Sequence, residues 1–390
     1  MGNIQQRLQK QLDERMAAGN LRKLSVIHTS ATFPPIDFCS NDYLGLARNE
    51  ALRQRIEKKT QAITCLPNGA TGSRLISGNS LLAQETEAEL ARIFQAESCL
   101  VFNSGYAANS AVLATIPQKG DIILCDELIH ASLREGARLS YAQRYSFRHN
   151  DLHDLEKKIQ HARKNGQEGE IFIVAEAVYS MDGDFGPLQD LLAVCLRYEA
   201  HLIWDEAHST GIWGERGSGL SCAWHLQEQI FARIYTFGKA MGVHGACVAG
   251  SAALTSYLTN FARGFIYTTA LPPHSLISIR ESFSFLAENA FLPQALLRKI
   301  SLFTDTLKEN SSGLPADSSQ SPIQIIKVGG NAATKQLAQH LQKAGFDVRA
   351  ILSPTVKTGE ERLRICLHVY NTDAEITQLA TLLKKEVVSR

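Results

Sequence analysis

From about residue 80, short apolar runs rich in β-forming residues alternate with longer segments of helical periodicity. The apolar runs read "CLVFN", "DIILCD", "EIFIVAE", "AHLIWDE", "ARIYTFG" and "ACVAGS". Between them lie segments such as "SLLAQETEAELARIFQ" and "PLQDLLAVCLRYE", whose apolar residues recur with the period of a helix. Because parallel neighbouring strands need a crossover connection, usually a helix, this alternation predicts an α/β domain built on a largely parallel sheet.

The rest of the chain predicts an arm before this domain and a small domain after it. Residues up to about 24 have the pattern of a charged amphipathic helix, which we expect to pack on the main body. A helical stretch at about 274–310 precedes the polar breaker "NSSGLPADSSQSP" and a strand–helix–strand–strand–helix pattern. We predict an N-terminal arm at 1–50, a large α/β domain at 51–275, and a long helix with a small α+β domain at 276–390.

Composition and charge argue against several classes of protein. Lys and Arg total 40 against 39 Asp and Glu, a balance that does not favour nucleic acid or an anionic membrane as a partner. The eight cysteines are scattered without a C-x-x-C pair, which indicates reduced, buried thiols rather than disulfides or a zinc site. The N-terminal residues lack the apolar core of a signal peptide, and no run of about 18 apolar residues predicts a membrane span. We therefore expect a cytoplasmic protein without a metal site.

Polar segments follow directly after the apolar runs. They are Asn103–Tyr106, Asp126–His130, Glu176–Asp184, Asp205–His208 and Thr236–Lys239. In open α/β sheets ligands bind beyond the carboxyl ends of the strands, so these segments are where a binding site is predicted.

Among these residues, Lys239 has an unusual sequence context for a charged side chain. It lies between Gly238 and Ala240 in "YTFGKAMGVHGA", which holds no other side chain with a charge fixed at pH 7. Burial lowers the pKa of a lysine, and the neutral amine can then react with a carbonyl group. Taken alone, a loop lysine that extends its amine into solvent is the more ordinary interpretation. The interpretation therefore depends on the residues that end the other strands.

Two of those strands end in groups that suit a flat aromatic ring. Asp205 could cap a helix, or it could keep a pyridinium nitrogen protonated. His208, three residues later, could reach a phenolic oxygen on the same ring. His130 could stack on the ring face, although a hydrogen-bonded structural histidine is the simpler alternative.

A third strand end suits a phosphate. The Ser104–Gly105–Tyr106 turn begins a predicted helix, where unpaired backbone N–H groups bind anions, although most such turns are only caps. Thr236 offers a further hydroxyl three residues before Lys239. An amine, an acid for a ring nitrogen, a stacking histidine and a phosphate turn together describe a site for pyridoxal 5′-phosphate.

The motifs around these residues extend over nearly the whole chain. They are "FCSNDYLGLA", "GATGSRLISGN", "FNSGYAAN", "DELIHASLREGARLS", "FRHNDLHDLE", "EAVYSMDGDFGPL", "WDEAHSTGIWGERGSG", "YTFGKAMGVHGA", "FARGFIYTTALPP" and "SPTVKTGEERLRICL". With this set in this order, the chain resembles the α-oxoamine synthases. These are pyridoxal 5′-phosphate enzymes of fold type I, with an aspartate aminotransferase-like large domain and a small α+β domain.

The resemblance implies the decarboxylative condensation of an amino acid with an acyl thioester. It is greatest to the members that join L-alanine to pimeloyl-CoA or a pimeloyl carrier protein, giving 8-amino-7-oxononanoate, CO₂ and free thiol in biotin biosynthesis. The alternative is a sibling that uses glycine or serine with another acyl-CoA, like glycine C-acetyltransferase or serine palmitoyltransferase. A non-catalytic subunit of a heteromeric relative would lack the lysine, and the P-loop spacing around the Gly-Lys pair is absent.

The resemblance also implies a role for each matching residue. The expected cofactor contacts are Lys239 with the aldehyde, Asp205 with the ring nitrogen, His208 and Ser180 with the ring oxygen, His130 with the ring face, and Ser104, Gly105, Tyr106 and Thr236 with the phosphate. Lys239 would also move the Cα proton, and His130 would orient the substrate carboxylate.

Further matching residues imply a dimer and a substrate site. Thr268 and Thr269 would reach the phosphate of a neighbouring subunit, which places the active site at a homodimer interface. Arg364 would bind the amino-acid carboxylate, a task that suits its rigid fork of donors. Arg22 and Asn41 would face the acyl substrate.

Two places depart from the family pattern. Residues 368–370, His-Val-Tyr, stand where many relatives have small side chains, and His244 replaces a residue that is commonly smaller. Either change could be a packing difference or could reshape the acyl tunnel.

Overall fold

The predicted apolar runs all form strands, and a further strand lies at an exposed edge. The computed structural model describes residues 3–22, 24, 34–308 and 319–388. Its strands are β1 (Ile36–Asp37), β2 (Ser98–Phe102), β3 (Ile122–Asp126), β4 (Gln143–Phe147), β5 (Ile171–Glu176), β6 (Ala200–Asp205), β7 (Ala232–Thr236), β8 (Ala246–Gly250), β9 (Ile323–Lys327), β10 (Phe346–Asp347), β11 (Arg349–Ile351) and β12 (Arg362–Cys366).

Helices occupy most of the segments between the strands. They are α1 (Asn3–Ala17), α2 (Glu50–Gln61), α3 (Leu81–Ile93), α4 (Gly105–Thr115), α5 (Ala131–Leu139), α6 (Leu152–Lys164), α7 (Leu188–Tyr198), α8 (Leu220–Ala223), α9 (Ala252–Phe261), α10 (Arg263–Ile266), α11 (Pro273–Glu288), α12 (Phe291–Lys308), α13 (Asn331–Lys343) and α14 (Asp373–Val388). In the part of the chain that the structure describes, no helix is both long and apolar enough to cross a membrane.

The large sheet has the strand order β2-β8-β7-β6-β5-β3-β4 within the described residues. Strands β3 to β7 pair in parallel, whereas β8 runs antiparallel to both of its neighbours, β2 and β7. The register places Glu176 at the end of β5 beside Asp205 at the end of β6. The prediction of a largely parallel α/β sheet is therefore confirmed.

The core of this sheet explains why its strands were visible in the sequence. Ile123, Val174, Ile203, Ile234 and Val248 lie on five neighbouring strands and are buried almost completely. Strands covered by helices on both faces carry continuous apolar runs, and burying each such side chain contributes about 1.5–3 kcal/mol. Because the parallel strands end at one edge, the polar residues that follow them are gathered there.

The described chain divides into two compact units. The large unit consists of residues 41–180 and 184–295 and holds the large sheet. The small unit consists of the described residues of 1–40, 181–183 and 296–390, and it holds the antiparallel sheet β11-β12-β9 and the parallel pair β1-β10. The α+β character expected of the C-terminal part is thus observed. The three segments 1–50, 51–275 and 276–390 stay a prediction.

One of two helical predictions differs from the structure. The stretch predicted as one helix at about 274–310 forms α11, which ends at Glu288, and α12, which begins at Phe291 and has Pro293, a residue without an N–H for a continuous helix, in its first turn. The arm α1 is helical as predicted but has no buried residue. Ile4, Leu8 and Leu12 on its apolar face are each about half exposed in the single chain, and its packing on the main body stays a prediction. Residues 310–318 of the polar breaker lie outside the described residues.

Candidate active site

Asp205 ends β6 at the edge of the large sheet and is held by donors on both oxygens. Its Oδ1 accepts the backbone N–H of Ala207 at 2.9 Å, and its Oδ2 accepts Nδ2 of Asn109 at 2.7 Å. The side chain is only 4 % exposed, so these two bonds fix the orientation of a buried carboxylate. A carboxylate fixed in this way can pair with a ring N–H that approaches it.

A line of hydrogen bonds connects Asp205 to His130. Asn109 Nδ2 also donates to Ser132 Oγ at 3.0 Å, and Ser132 Oγ lies 2.7 Å from His130 Nδ1. The Ser132 backbone N–H donates to the same ring nitrogen at 3.2 Å. Because Nδ1 is the acceptor, a neutral His130 carries its hydrogen on Nε2. Burial lowers the pKa of His130, and the charge of Lys239 lowers it further against an opposing effect of Asp205, which favours this neutral ring.

Glu176 ends β5 next to Asp205 and holds the backbone that carries His130. Its Oε1 accepts the His130 backbone N–H. Burial raises the pKa of Glu176 well above its usual range, the neighbouring charge of Asp205 adds to this, and Lys239 opposes it. The carboxyl group is thus favoured in its protonated form, in which the carbonyl oxygen still accepts the N–H.

Lys239 lies in the tight connection between β7 and β8. Backbone bonds from Phe237 N to Gly245 O, Val243 N to Phe237 O and Gly242 N to Lys239 O, each 2.9 Å, close this connection. Gly242 has φ +67°, and a Cβ there would come within 2.3 Å of the Ala47 nitrogen, so the turn requires glycine. The positive charge of Lys239 lowers the pKa of both His130 and Glu176.

The 104–106 turn begins α4 directly against Thr236. Ser104 caps the helix, with its Oγ accepting the Ala107 N–H at 3.2 Å. A Cβ on Gly105 would lie 3.3 Å from the Thr236 Cβ and 3.4 Å from its Oγ1, so the glycine leaves open the space beside that hydroxyl. Unpaired N–H groups at a helix start, a serine and a threonine are the donors that suit a phosphate. Tyr106 is half exposed at the same turn. This donor set fits the phosphate of the expected cofactor.

Thr268 and Thr269 lie beside the residue that precedes this turn. Asn103 Nδ2 donates to Thr268 Oγ1 at 3.0 Å and to the Thr269 carbonyl at 2.8 Å. Both threonines are therefore close to the phosphate turn of their own chain. Their role toward a neighbouring subunit stays a prediction.

His208 and Ser180 are both buried in the large unit. His208 Nδ1 lies 2.8 Å from the hydroxyl of Tyr43. Ser180 follows Tyr179, whose backbone N–H donates to the Asp184 carbonyl at 3.0 Å and so closes the strand-end loop. The expected contacts of His208 and Ser180 with a ring oxygen stay predictions.

His149 joins three strand-end segments near this loop. Its Nδ1 lies 3.0 Å from Asp126 Oδ1, and its Nε2 lies 2.7 Å from Asp184 Oδ2. Burial opposes the charged ring, but the hydrogen bonds to the two carboxylates outweigh it and raise the pKa of His149 to about 10. A charged imidazole between two carboxylates thus connects the ends of β3 and β4 with the 180–184 loop.

Three predicted substrate residues fall in different units. Asn41 lies in the large unit, where its Oδ1 accepts the Tyr43 hydroxyl at 3.0 Å. In the small unit, Arg22 is exposed and donates to Thr355 Oγ1 at 3.3 Å, whereas Arg364 is buried and donates to Cys366 Sγ at 2.9 Å. The roles of these residues toward substrates stay predictions.

The two departures from the family pattern differ in setting. His368 is completely buried in the small unit, stacked on Tyr370 at a ring-centroid distance of 4.6 Å. The Tyr370 hydroxyl donates to Asp37 Oδ2 at 2.8 Å, so this pair belongs to the internal packing of the small unit. His244 is exposed and lines a cleft with α2 and the first turn of α11.

Sequence reasoning missed the residues that support the predicted groups. Glu176, Asp126 and Asp184 had a visible signal, because they lie in the polar strand-end segments. Asn109 and Ser132 had none, because each is a small polar residue in the first turns of a helix, where caps are common.

Comparisons with known proteins match nearly the whole chain. The model of the family "Aminotransferase class I and II" matches residues 34–383. An 8-amino-7-oxononanoate synthase from Emericella nidulans is 40 % identical over 381 residues, covering 92 % of this chain and 90 % of the relative. The solved 8-amino-7-oxononanoate synthase of Francisella tularensis is 29 % identical with a TM-score of 0.76, covering 91 % of this chain and 98 % of that one. Sphingomonas wittichii serine palmitoyltransferase has a TM-score of 0.88 at 26 % identity, covering 100 % and 99 %.

Proposed function

Because the chain belongs to the class I and II aminotransferase family, and within it to the α-oxoamine synthases, we propose that it catalyses the condensation of L-alanine with a pimeloyl thioester. The products are 8-amino-7-oxononanoate, CO₂ and free thiol, a step of biotin biosynthesis. The observation that carries this proposal is the 40 % identity to a synthase of that name over nine-tenths of both chains.

The second candidate is a sibling enzyme that uses serine or glycine with another acyl-CoA. The backbone likeness to serine palmitoyltransferase, with a TM-score of 0.88, is the observation that favours it. The sequence identity of that pair is 26 %, below the 40 % of the first candidate, and substrate choice depends on side chains more than on the backbone.

The cofactor of this reaction is pyridoxal 5′-phosphate, and the residues of the large unit fit it. We assign Lys239 to the aldehyde, Asp205 to the ring nitrogen, and the 104–106 turn with Thr236 to the phosphate. When bound, the cofactor supplies an electron-accepting ring that accommodates the charge left when the amino acid loses its Cα proton.

Three protein groups around the ring would then each have a task. The Lys239 amine takes the Cα proton of the amino acid. His130 is favoured as a neutral ring with Nε2–H, which lets it donate to the carboxylate of the amino acid without adding a positive charge. The fixed carboxylate of Asp205 keeps the ring nitrogen protonated throughout.

The proposal includes a homodimer in the cytoplasm. Ile76 and Tyr267 are 85 % and 75 % exposed, and their loops touch through the Ala270 N–H, which donates to the Gly72 carbonyl at 3.0 Å. This exposed apolar surface lies next to Thr268 and the phosphate turn, and a second subunit would cover it. The active sites would then lie near the dimer interface.

A visible absorption spectrum of the purified protein with pyridoxal 5′-phosphate tests the cofactor assignment. We expect a band of lysine-bound cofactor that disappears in Lys239→Ala and persists in Lys119→Ala, a change at an exposed lysine outside the site. A band that is absent, or unchanged in Lys239→Ala, would contradict the assignment.

Titration with amino acids distinguishes the two candidate functions. We expect L-alanine to change the band at lower concentration than glycine or serine, and pimeloyl-CoA or pimeloyl carrier protein then to yield 8-amino-7-oxononanoate by mass spectrometry. Tighter binding of serine or glycine, with no product from alanine, would favour the sibling enzyme.

A further inference from the structure

The hydroxyl of Tyr43 lies between two residues of the candidate site. It donates to Asn41 Oδ1 at 3.0 Å, and it lies 2.8 Å from His208 Nδ1. Tyr43 is completely buried, and the segment around it is held by the Asp42 side chain, whose Oδ1 accepts the Ala47 N–H at 3.1 Å. Tyr43 stands in the "SNDYLGL" motif, but its sequence context alone predicts no role for it.

The directions of the two hydrogen bonds follow from the groups involved. An amide oxygen accepts and cannot donate, so the hydroxyl hydrogen of Tyr43 points to Asn41. The Tyr43 oxygen is then the acceptor of the second bond, and His208 Nδ1 must carry the hydrogen. A neutral His208 therefore has an unprotonated Nε2.

We propose that Tyr43 is a positioning residue that holds His208 with its hydrogen on Nδ1 and turns Nε2 toward the cofactor. This inference rests on the proposed function, which assigns His208 to the ring oxygen of pyridoxal 5′-phosphate. It adds that the unprotonated Nε2 of a neutral His208 accepts a hydrogen bond where that oxygen is a hydroxyl, whereas a phenolate oxygen requires His208 to carry a hydrogen on both ring nitrogens. It also connects His208 through two hydrogen bonds to Asn41, the residue expected to face the acyl substrate.

NMR can show which ring nitrogen of His208 carries the hydrogen, without any measurement of activity. NMR spectra of full-length protein labelled with ¹⁵N-histidine are recorded without cofactor and then with pyridoxal 5′-phosphate. The signals of His208 are identified by their absence in His208→Gln. We expect the wild-type pair of ¹⁵N shifts to report Nδ1–H, and Tyr43→Phe to lose this preference. A wild-type His208 with its hydrogen on Nε2, or a Tyr43→Phe spectrum identical to wild type, would overturn the proposal.

Substitutions of Asn41 test the direction of the bonds. Asn41→Asp keeps an acceptor for the Tyr43 hydroxyl, so the Nδ1–H signal is expected to remain. Asn41→Leu removes the acceptor, so the hydroxyl is expected to donate to His208 Nδ1 and shift the hydrogen to Nε2. The same spectrum from both variants would count against the proposal, and this comparison stands even where Tyr43→Phe does not fold.

A matched loss of a buried hydroxyl controls for general packing. Tyr235 is also completely buried, and its hydroxyl accepts from Arg233 Nη1 at 2.8 Å. Tyr235→Phe should leave the ¹⁵N signals of His208 unchanged. An equal change in both Phe variants would assign the effect to packing and overturn the positioning role.

Kinetics separate this inference from the proposed function. With cofactor, L-alanine and pimeloyl-CoA, Tyr43→Phe should lower kcat roughly five- to tenfold, as expected for one lost hydrogen bond, and shift the visible band. A wild-type protein that forms no band would refute the proposed function, whereas the cofactor-free spectra would still decide the His208 tautomer. A normal wild-type band with unchanged kcat and band in Tyr43→Phe would refute the positioning role alone.

Discussion

Glu176 shows how a single buried residue can be required for its hydrogen bond and not for its charge. Its carboxyl group is buried beside Asp205 and accepts the backbone N–H of His130. A neutral carboxylic acid meets that donor as well as a carboxylate and avoids the repulsion of a second charge. The backbone of His130, which follows β3, is thus held by a residue at the end of β5.

The effect of a Glu176 substitution on the free energy of unfolding should therefore depend on whether the new side chain keeps the hydrogen-bond acceptor, and not on its charge. We expect Glu176→Gln to leave the free energy of unfolding within about 0.5 kcal/mol of wild type, because the amide oxygen still accepts the N–H. Glu176→Ala leaves that buried N–H unsatisfied and should cost about 1–3 kcal/mol. Urea unfolding at pH 7 measures both. Equal losses in the two variants would mean that the charged form is the native one.

His149 should make stability fall with rising pH. Its pKa in the folded chain is about 10, above the ordinary value of 6.5. The ion pairs with Asp126 and Asp184 therefore contribute fully below pH 6.5, and their contribution is lost as the pH rises through about 10. Between these values the folded chain binds more protons, which lowers the free energy of unfolding by at most about 1.4 kcal/mol per pH unit.

Urea unfolding across this range tests the role of His149. The free energy of unfolding should fall less with rising pH in His149→Gln than in wild type. In His201→Gln it should fall as in wild type, since His201 bonds to Glu170 at the surface. A fall of the same size in His149→Gln would place its origin elsewhere.

At the scale of elements, two helices that begin alike can be compared. Ser104 caps α4 and Ser80 caps α3, and each Oγ accepts a backbone N–H at 3.2 Å. Loss of either cap should cost about 1 kcal/mol in the free energy of unfolding. Only Ser104 belongs to the turn assigned to the phosphate, so only Ser104→Ala should also weaken binding of pyridoxal 5′-phosphate.

Fluorescence titration with the cofactor and urea unfolding of both variants check this. Equal cofactor affinities in Ser80→Ala and Ser104→Ala would remove Ser104 from the phosphate site.

The elements that the sequence predicted are those with a strong local pattern. The buried strands were found because apolar residues fill both of their faces. Strand β4 was missed because it is a mostly exposed edge strand, "QRYSF", with only Phe147 buried. The division between α11 and α12 was missed although Pro293, in the first turn of α12, is a local signal that one helix does not continue through this point. The reversed direction of β8 has no local signature in "ACVAGS".

At the scale of the whole molecule, the proposed dimer predicts which surface residue matters. Ile76→Asp should weaken the dimer, because it places a charge on the exposed apolar surface beside the phosphate turn. Leu196→Asp, at an equally exposed leucine on α7, should leave it intact. Sedimentation velocity at several protein concentrations distinguishes the two. A monomeric wild-type protein, or equal effects of both substitutions, would contradict the proposed interface.

The reactive groups of the site could be predicted from the sequence, but the residues that hold them in place by hydrogen bonds could not. Lys239, Asp205 and His130 follow strands and lie in recognisable motifs. Their supports come from distant parts of the chain: Asn109 bonds to Asp205 across 96 positions, and Tyr43 to His208 across 165. Such hydrogen bonds exist only after the sheet has formed, so no local pattern can report them.

The short connection that carries Lys239 also limits how often this segment opens and exposes the amine to solvent. Its ends continue into β7 and β8, which are paired with each other and have a further strand on either side. We therefore expect local opening around Lys239 to be coupled to separation of these two strands, at a free energy close to that of global unfolding. In hydrogen-exchange experiments, the amides of Phe237 and Val243 should exchange nearly as slowly as those of the strands themselves. Reagents that acylate amines should accordingly be able to approach Lys239 only along the path that the substrates use.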